Sequence, residues 1–173
     1  MTTWVLLLRG VNVGRSNRIA MADLRTLLTD LGHGDVRTVL NSGNATFTSR
    51  RRARGPLVAE IEAGLRDRHG LEVGVTVRTA EEVQAALDGL PDEVASSAYA
   101  LVTFLLDPPE RPALAGLTDW DTAPDLVVPG DGVVYLGYAG PMHASKLQNA
   151  ALEKRLGVRS TARTPETLRK MLR

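Results

Sequence analysis

An α+β fold of two tandem β-α-β-β-α-β halves is what this sequence predicts, and three observations carry it. Apolar runs that read as strands alternate with stripes of helical spacing, in that order, twice along the 173 residues. Tight turns at Asn41-Ser42-Gly43-Asn44 and Pro129-Gly130-Asp131-Gly132 each join two strand-like runs. A stretch punctuated by Gly89, Pro91 and Ser96-Ser97 separates the two series. The order of elements is ferredoxin-like. Residues 1–79 form the first half, 80–98 a connecting helix and linker, and 99–173 the second half with a C-terminal helix. No clear sequence identity links the halves, so the duplication rests on element order alone.

Residues 3–9 read as a buried strand, because Trp4, Leu6 and Leu8 alternate with the equally apolar Val5 and Leu7. Met21, Leu24, Leu27, Leu28 and Leu31 place a helix over about 20–31, stopped by Gly32. Val36–Leu40 and Ala45–Thr48 are the second and third strands. Leu57, Ile61 and Leu65 mark a helix over 55–69, and Val73, Val75 and Val77 a fourth strand. Thr79-Ala80-Glu81-Glu82 has capping-box spacing and opens the connecting helix. In the second half, strands are expected at Tyr99–Leu106, Asp125–Val128, Val133–Tyr138 and Val158–Ala162. Helices are expected over 109–117, over 145–156 with Ser145 as its cap, and from Pro165, with Thr164 as the N-cap.

The composition excludes several function classes. With no cysteine, thiol catalysis, disulfides and cysteine-ligated metals are ruled out. A formal net charge of +1 implies no strong non-specific attraction to nucleic acid or anionic membrane. The N-terminal apolar run is too short for a bilayer span and lacks signal-peptide features, so a cytoplasmic location is expected. His33, His69 and His143 are scattered without metal-ligand spacing and are expected at the surface or at helix ends. Neither a metal nor a cofactor is expected.

Chemistry concentrates in Arg9-Gly10-Val11-Asn12-Val13-Gly14-Arg15-Ser16-Asn17-Arg18, a loop between the first strand and the first helix. Its glycines permit close backbone approach, its arginines supply charge, and amides beside a helix start attract anions. It is neither a P-loop nor a dinucleotide fingerprint. In a ferredoxin-like sheet the first and third strands are neighbours, so this loop should lie beside Ser42-Gly43-Asn44. The corresponding edge of the second half, Asp107–Glu110 with Pro129–Gly132, has no arginine until Arg111. Ser42 has neither a placed histidine base nor a Gly-x-Ser-x-Gly context, so it is not read as a nucleophile. The Arg50–Arg54 run falls at the opposite sheet edge and reads as a solvated connection. Trp4 and Phe47 are too few aromatics for single-stranded RNA recognition on the sheet.

Three groups of residues together resemble a known family. These are Arg9-Gly10-Val11-Asn12-Val13-Gly14 with Asn17, Met21, Leu24 and Gly32; Ser42-Gly43-Asn44; and Ser145-Lys146-Leu147 with Leu156-Gly157. The chain is similar over nearly its full length to the mostly bacterial proteins known as domain of unknown function 1697. The resemblance implies paired ferredoxin-like halves and implies no activity. Arg15 stands where the family usually has a second glycine, and Asn41 where it has glutamine. Arg163-Thr164-Pro165-Glu166-Thr167 departs from the family's Arg-Asn-Trp-Asn-Thr.

The sequence therefore points to a phosphorylated or otherwise anionic, nucleotide-like small ligand at the loop edge of the first half. Arg9, Asn12, Gly14, Asn17, Ser42, Gly43 and Asn44 are the candidate ligand-binding residues, with Lys146 as a further candidate cation. Rival readings are a phosphoryl- or nucleotidyl-handling enzyme, a nucleic-acid-binding module, which the near-neutral charge disfavours, and a protein-interaction module that pairs as a homodimer through exposed sheet edges. No membrane partner is expected.

Overall fold

A computed structural model describes every residue, Met1–Arg173. It shows an α+β architecture of two four-stranded antiparallel sheets, each packed with helices. The chain divides into two compact units, Met1–Gln84 with Arg169–Arg173, and Ala85–Leu168. The division falls inside the connecting helix. The last five residues join the first unit, where the Arg37 guanidinium donates to the Met171 carbonyl at 3.3 Å.

In the first unit, β1 (Thr2–Leu8) lies between β3 (Asn44–Ser49) and β4 (Val75–Thr79), and β2 (Gly34–Thr38) pairs with the outer side of β3. The helices α1 (Met21–Asp30) and α2 (Arg54–His69) supply Leu24, Leu27, Leu28, Leu57, Ile61 and Leu65 to a core shared with Trp4, Leu6, Leu8 and Phe47. These leucines recur at three- and four-residue spacing while the strand residues alternate, which brings both sets to one layer. Each fully buried Leu or Ile contributes about 1.5–3 kcal/mol relative to exposure. β2 starts and stops two residues earlier than its apolar pattern indicates. Asp35 takes a φ of +48° and the pairing register shifts between Gly34 and Arg37, so the strand enters the sheet through an irregularity. β4 is displaced the other way; Val73 precedes it yet is still buried in the core.

The helix α3 (Ala80–Asp88) begins with the expected capping box: Thr79 N–H donates to Glu82 Oε2 at 2.8 Å, and Glu82 N–H to Thr79 Oγ1 at 3.2 Å. Arg54 grips the same carboxylate at 2.6 and 2.7 Å. Burial pushes the Glu82 carboxyl up, but the Thr79 amide, Arg54 and Arg78 outweigh it and hold it below its ordinary range.

In the second unit, α4 (Asp92–Ala95) precedes β5 (Tyr99–Leu105), which lies between β7 (Val133–Tyr138) and β8 (Ser160–Arg163). β6 (Leu126–Pro129) pairs with β7, α5 (Arg111–Ala115) and α6 (Asn149–Leu156) follow in their places, and α7 (Pro165–Met171) begins in this unit and ends in the first. Leu105, Leu117, Val134, Leu136, Leu152 and Leu156 are among its core residues. The helix expected over 145–156 starts four residues later. Ser145 does not cap it: its hydroxyl donates to the buried Asp125 carboxylate and accepts the Leu147 amide at 2.8 Å. Asp125 also accepts the Ala139 amide at 2.8 Å, and the Tyr138 hydroxyl donates to the Leu147 carbonyl at 2.9 Å. Ser145-Lys146-Leu147 is therefore a pinned turn, with a buried carboxylate outcompeting the helix for the serine.

One local motif closes both sheets. Thr76-Val77-Arg78-Thr79-Ala80-Glu81 and Thr161-Ala162-Arg163-Thr164-Pro165-Glu166 share Thr-x-Arg-Thr-x-Glu. Arg78 donates to Thr76 Oγ1 at 2.5 Å and to the Val77 carbonyl at 2.9 Å; Arg163 makes the same pair to Thr161 Oγ1 at 2.7 Å and the Ala162 carbonyl at 2.8 Å. Burial lowers each guanidinium to about 10, and Arg54 adds to the effect on Arg78 while Glu82 opposes it.

Candidate anion-binding loop edge

The end of β1 fixes the position of the candidate site. Its register pairs Leu7 with Asn44, and Leu8 N–H donates to the Gly43 carbonyl at 2.8 Å. The loop after β1 and the turn before β3 consequently leave the sheet side by side.

The loop holds its shape through left-handed backbone. Gly10 (φ +66°), Asn12 (+55°), Gly14 (+62°) and Asn17 (+51°) are all in that region within eight positions. Glycine and asparagine are the residues that enter it most readily, which accounts for their alternation here. Val13 and Ser16 close a small hairpin around Gly14 and Arg15, and Asn12 N–H donates to the Asn17 carbonyl at 3.0 Å.

Asn12 joins the two segments. Its Nδ2 donates to the Ile19 carbonyl at 2.9 Å and to the Asn41 carbonyl at 2.8 Å, while its Oδ1 accepts the Ile19 amide at 3.0 Å. Asn17 Nδ2 donates to the Gly10 carbonyl at 3.2 Å, and the buried Asn44 donates to the Val39 carbonyl at 3.0 Å. All three candidate asparagines thus spend amide donors on the scaffold. Gly43 is buried, with an added Cβ falling 2.5 Å from Val11 Cγ2 and 2.7 Å from Leu8 Cβ.

The charge stands on other residues. Arg9 is half-buried and its amide donates to the Gly74 carbonyl at 2.8 Å. Arg15, Arg18, Gly14 and Ser42 are exposed. Neither residues 9–21 nor 40–44 include a carboxylate. Helix α1 follows with Ala20 at its N-cap and no side-chain cap, although Asp23 lies in its first turn. Lys146 is exposed on the pinned turn of the second unit, whereas every other candidate belongs to the first. Asn12 and Asn17, expected as directed donors to a ligand, also hold the loop's own backbone. The glycine–asparagine alternation was the signal that their task is conformational.

At the opposite end of the first unit's sheet, the Arg50–Arg54 run is partly engaged: Arg51 pairs with Glu60 at 2.9 Å and Arg54 with Glu82. His33, expected at the surface or at a helix end, follows α1, where its amide donates to the Leu28 carbonyl at 3.2 Å, and its side chain is buried. Its ring packs on Phe47 at a centroid distance of 4.5 Å, and its Nε2 lies 3.1 Å from Glu60 Oε1 beside a cleft of about 370 Å³. Burial lowers the His33 pKa, and Arg51 lowers it further, while Glu60 raises it. A lowered imidazole favours the neutral form in the folded state. The unfolded chain then binds more protons, and stability falls as pH drops through the unfolded value of about 6.5. Urea unfolding between pH 7.5 and 5.5 should show this slope in the wild type and a flatter one in His33→Phe. Equal slopes would assign the pH dependence to other groups.

No helix is long and apolar enough to cross a membrane. The structure is similar to one described as "The structure of conserved bacterial protein SP0830 from Streptococcus pneumoniae", with a TM-score of 0.81, 25% identity and 99% of each chain covered. No curated protein matches the sequence. The model of one family matches residues 1–135, which include the whole loop edge, and the chain belongs to that family, described as "Protein of unknown function (DUF1697)".

Proposed function

We propose that this is a cytoplasmic protein of two duplicated ferredoxin-like halves, the first of which binds a phosphorylated or otherwise anionic small ligand at its loop edge. The observation that carries the reading is the separation of roles there. Hydrogen bonds from Asn12, Asn17 and Asn44 shape the two segments, and the first carries exposed Arg15 and Arg18 with no carboxylate in either segment. Preorganised loops with uncompensated guanidinium groups suit phosphate, which accepts bidentate contacts from arginine. The start of α1, lacking a side-chain cap, adds the favourable end of a helix dipole. The shared Thr-x-Arg-Thr-x-Glu motif supports the duplication.

A thermal-shift screen of nucleotides, sugar phosphates and inorganic anions tests the reading. A ligand present at one hundred times its dissociation constant adds about 2.7 kcal/mol of stability. The shift should saturate in the wild type. In Arg15→Ala/Arg18→Ala, and in Arg9→Ala separately, the ligand should bind roughly tenfold more weakly or worse, as expected for lost charge-assisted hydrogen bonds. Sulfate and phosphate also stabilise proteins by exclusion from their surfaces, an effect that neither saturates nor responds to these substitutions. A panel giving only that kind of response would remove the reading.

A further inference from the structure

The two segments of the loop edge also expose apolar side chains. Val13 is 71% exposed and Leu40 is 55% exposed, although most large apolar residues are buried. Each is adjacent in sequence to one end of the Asn12–Asn41 hydrogen bond of 2.8 Å, so the two residues lie on either side of a single junction. Leu40 is held at a φ of +59°. Four non-glycine residues take a positive φ, and the other three are Asn12, Asn17 and Asp35. Short polar side chains tolerate that conformation; a branched apolar one is disfavoured there and gains nothing from exposure. Asparagine at position 40 would relieve both penalties. Residues held in sparsely populated backbone regions cluster at active sites and ligand clamps.

An apolar pair on the loop edge that also carries Arg15 and Arg18 fits a ligand that is apolar at one end and anionic at the other. Two aliphatic side chains cover the face of one ring and leave an acyl chain mostly in water. We infer that the ligand of the proposed site carries a planar, nucleobase-like ring that rests on Val13 and Leu40, with its phosphate at Arg15 and Arg18. This inference rests on the anion-binding reading and specifies its ligand class.

Calorimetric titration of AMP, ribose 5-phosphate and inorganic phosphate tests it, on the wild type and on Val13→Thr/Leu40→Asn. Covering one ring face predicts that the wild type binds AMP about tenfold more tightly than ribose 5-phosphate. The double variant should lose that preference while keeping its ribose 5-phosphate affinity within about twofold. Asparagine suits a positive φ, so the variant should unfold at no lower urea concentration than the wild type; Leu40→Gly gives a second route to the same loss. Equal wild-type affinity for AMP and ribose 5-phosphate would overturn the ring contact and leave the anion site standing. An AMP preference that survives both variants would overturn its assignment to Val13 and Leu40. Absence of binding by all three compounds would overturn the inference together with the reading beneath it.

Discussion

Gly43→Ala is expected to destabilise the protein by about 3 kcal/mol, the sum of a left-handed penalty of about 1–2 kcal/mol and an overpacking cost of similar size. Gly43 takes a φ of +74°, and the new methyl would meet Val11 Cγ2 at 2.5 Å and Leu8 Cβ at 2.7 Å. Neither neighbour can yield easily. Leu8 ends β1 inside the core and Val11 is buried, so both are held by their own packing. Gly14→Ala is the matched comparison. Gly14 has nearly the same φ, +62°, and nothing within 4 Å of an added Cβ. It should lose only the conformational part, about 1 kcal/mol. Urea unfolding of the two variants separates the terms, with the midpoint moving and the slope unchanged. Equal losses would mean that the turn shifts away from β1 without cost, and the rigid abutment of the two segments would then be wrong.

The contrast between these glycines shows how far the sequence could be read. A turn at 41–44 and a loop after Leu8 follow from local chemistry, because glycine and asparagine announce positive φ in either reading. That β1 and β3 are neighbours follows from the order of elements. What local chemistry cannot supply is which atoms meet. Gly43 is needed for a close approach to Val11, 32 positions earlier, and nothing near Gly43 records that. The burial of His33 is hidden for the same reason: its place after a helix is a local feature, whereas Phe47 and Glu60, which enclose its ring, are distant in sequence. Ser145 was misassigned because the capping pattern is local while its actual partner, Asp125, lies 20 residues away. Backbone strain such as that at Leu40 is likewise invisible until the fold is known.

Asn12→Ala is the second substitution with a large expected effect, and it tests whether one side chain couples the two segments. It removes two donated hydrogen bonds, to Ile19 and Asn41, and one accepted from the Ile19 amide. At about 1 kcal/mol for each net hydrogen bond, with a further 1 kcal/mol or so for alanine at a φ of +55°, the loss is about 3–4 kcal/mol. Asn12→Gly keeps the backbone freedom and loses only the hydrogen bonds, so it should fall about 1 kcal/mol short of the alanine variant. Asn12→Asp retains the acceptor for Ile19 N–H but sets a carboxylate against two carbonyl oxygens. It should be at least as damaging as alanine at pH 7 and recover in part as pH falls below about 4, where a protonated carboxyl can donate again. Hydrogen exchange gives the local readout. In the alanine and glycine variants the Ile19 and Leu8 amides should lose protection, the first through its lost acceptor and the second through release of the Gly43 turn; in Asn12→Asp the Leu8 amide alone should lose it. Amides in the β5–β7 ladder of the second unit should keep theirs. If Asn12→Asp matched the wild type in stability and exchange, Asn12 would not be the clamp, and the loop and turn would be held together by the β1–β3 register alone.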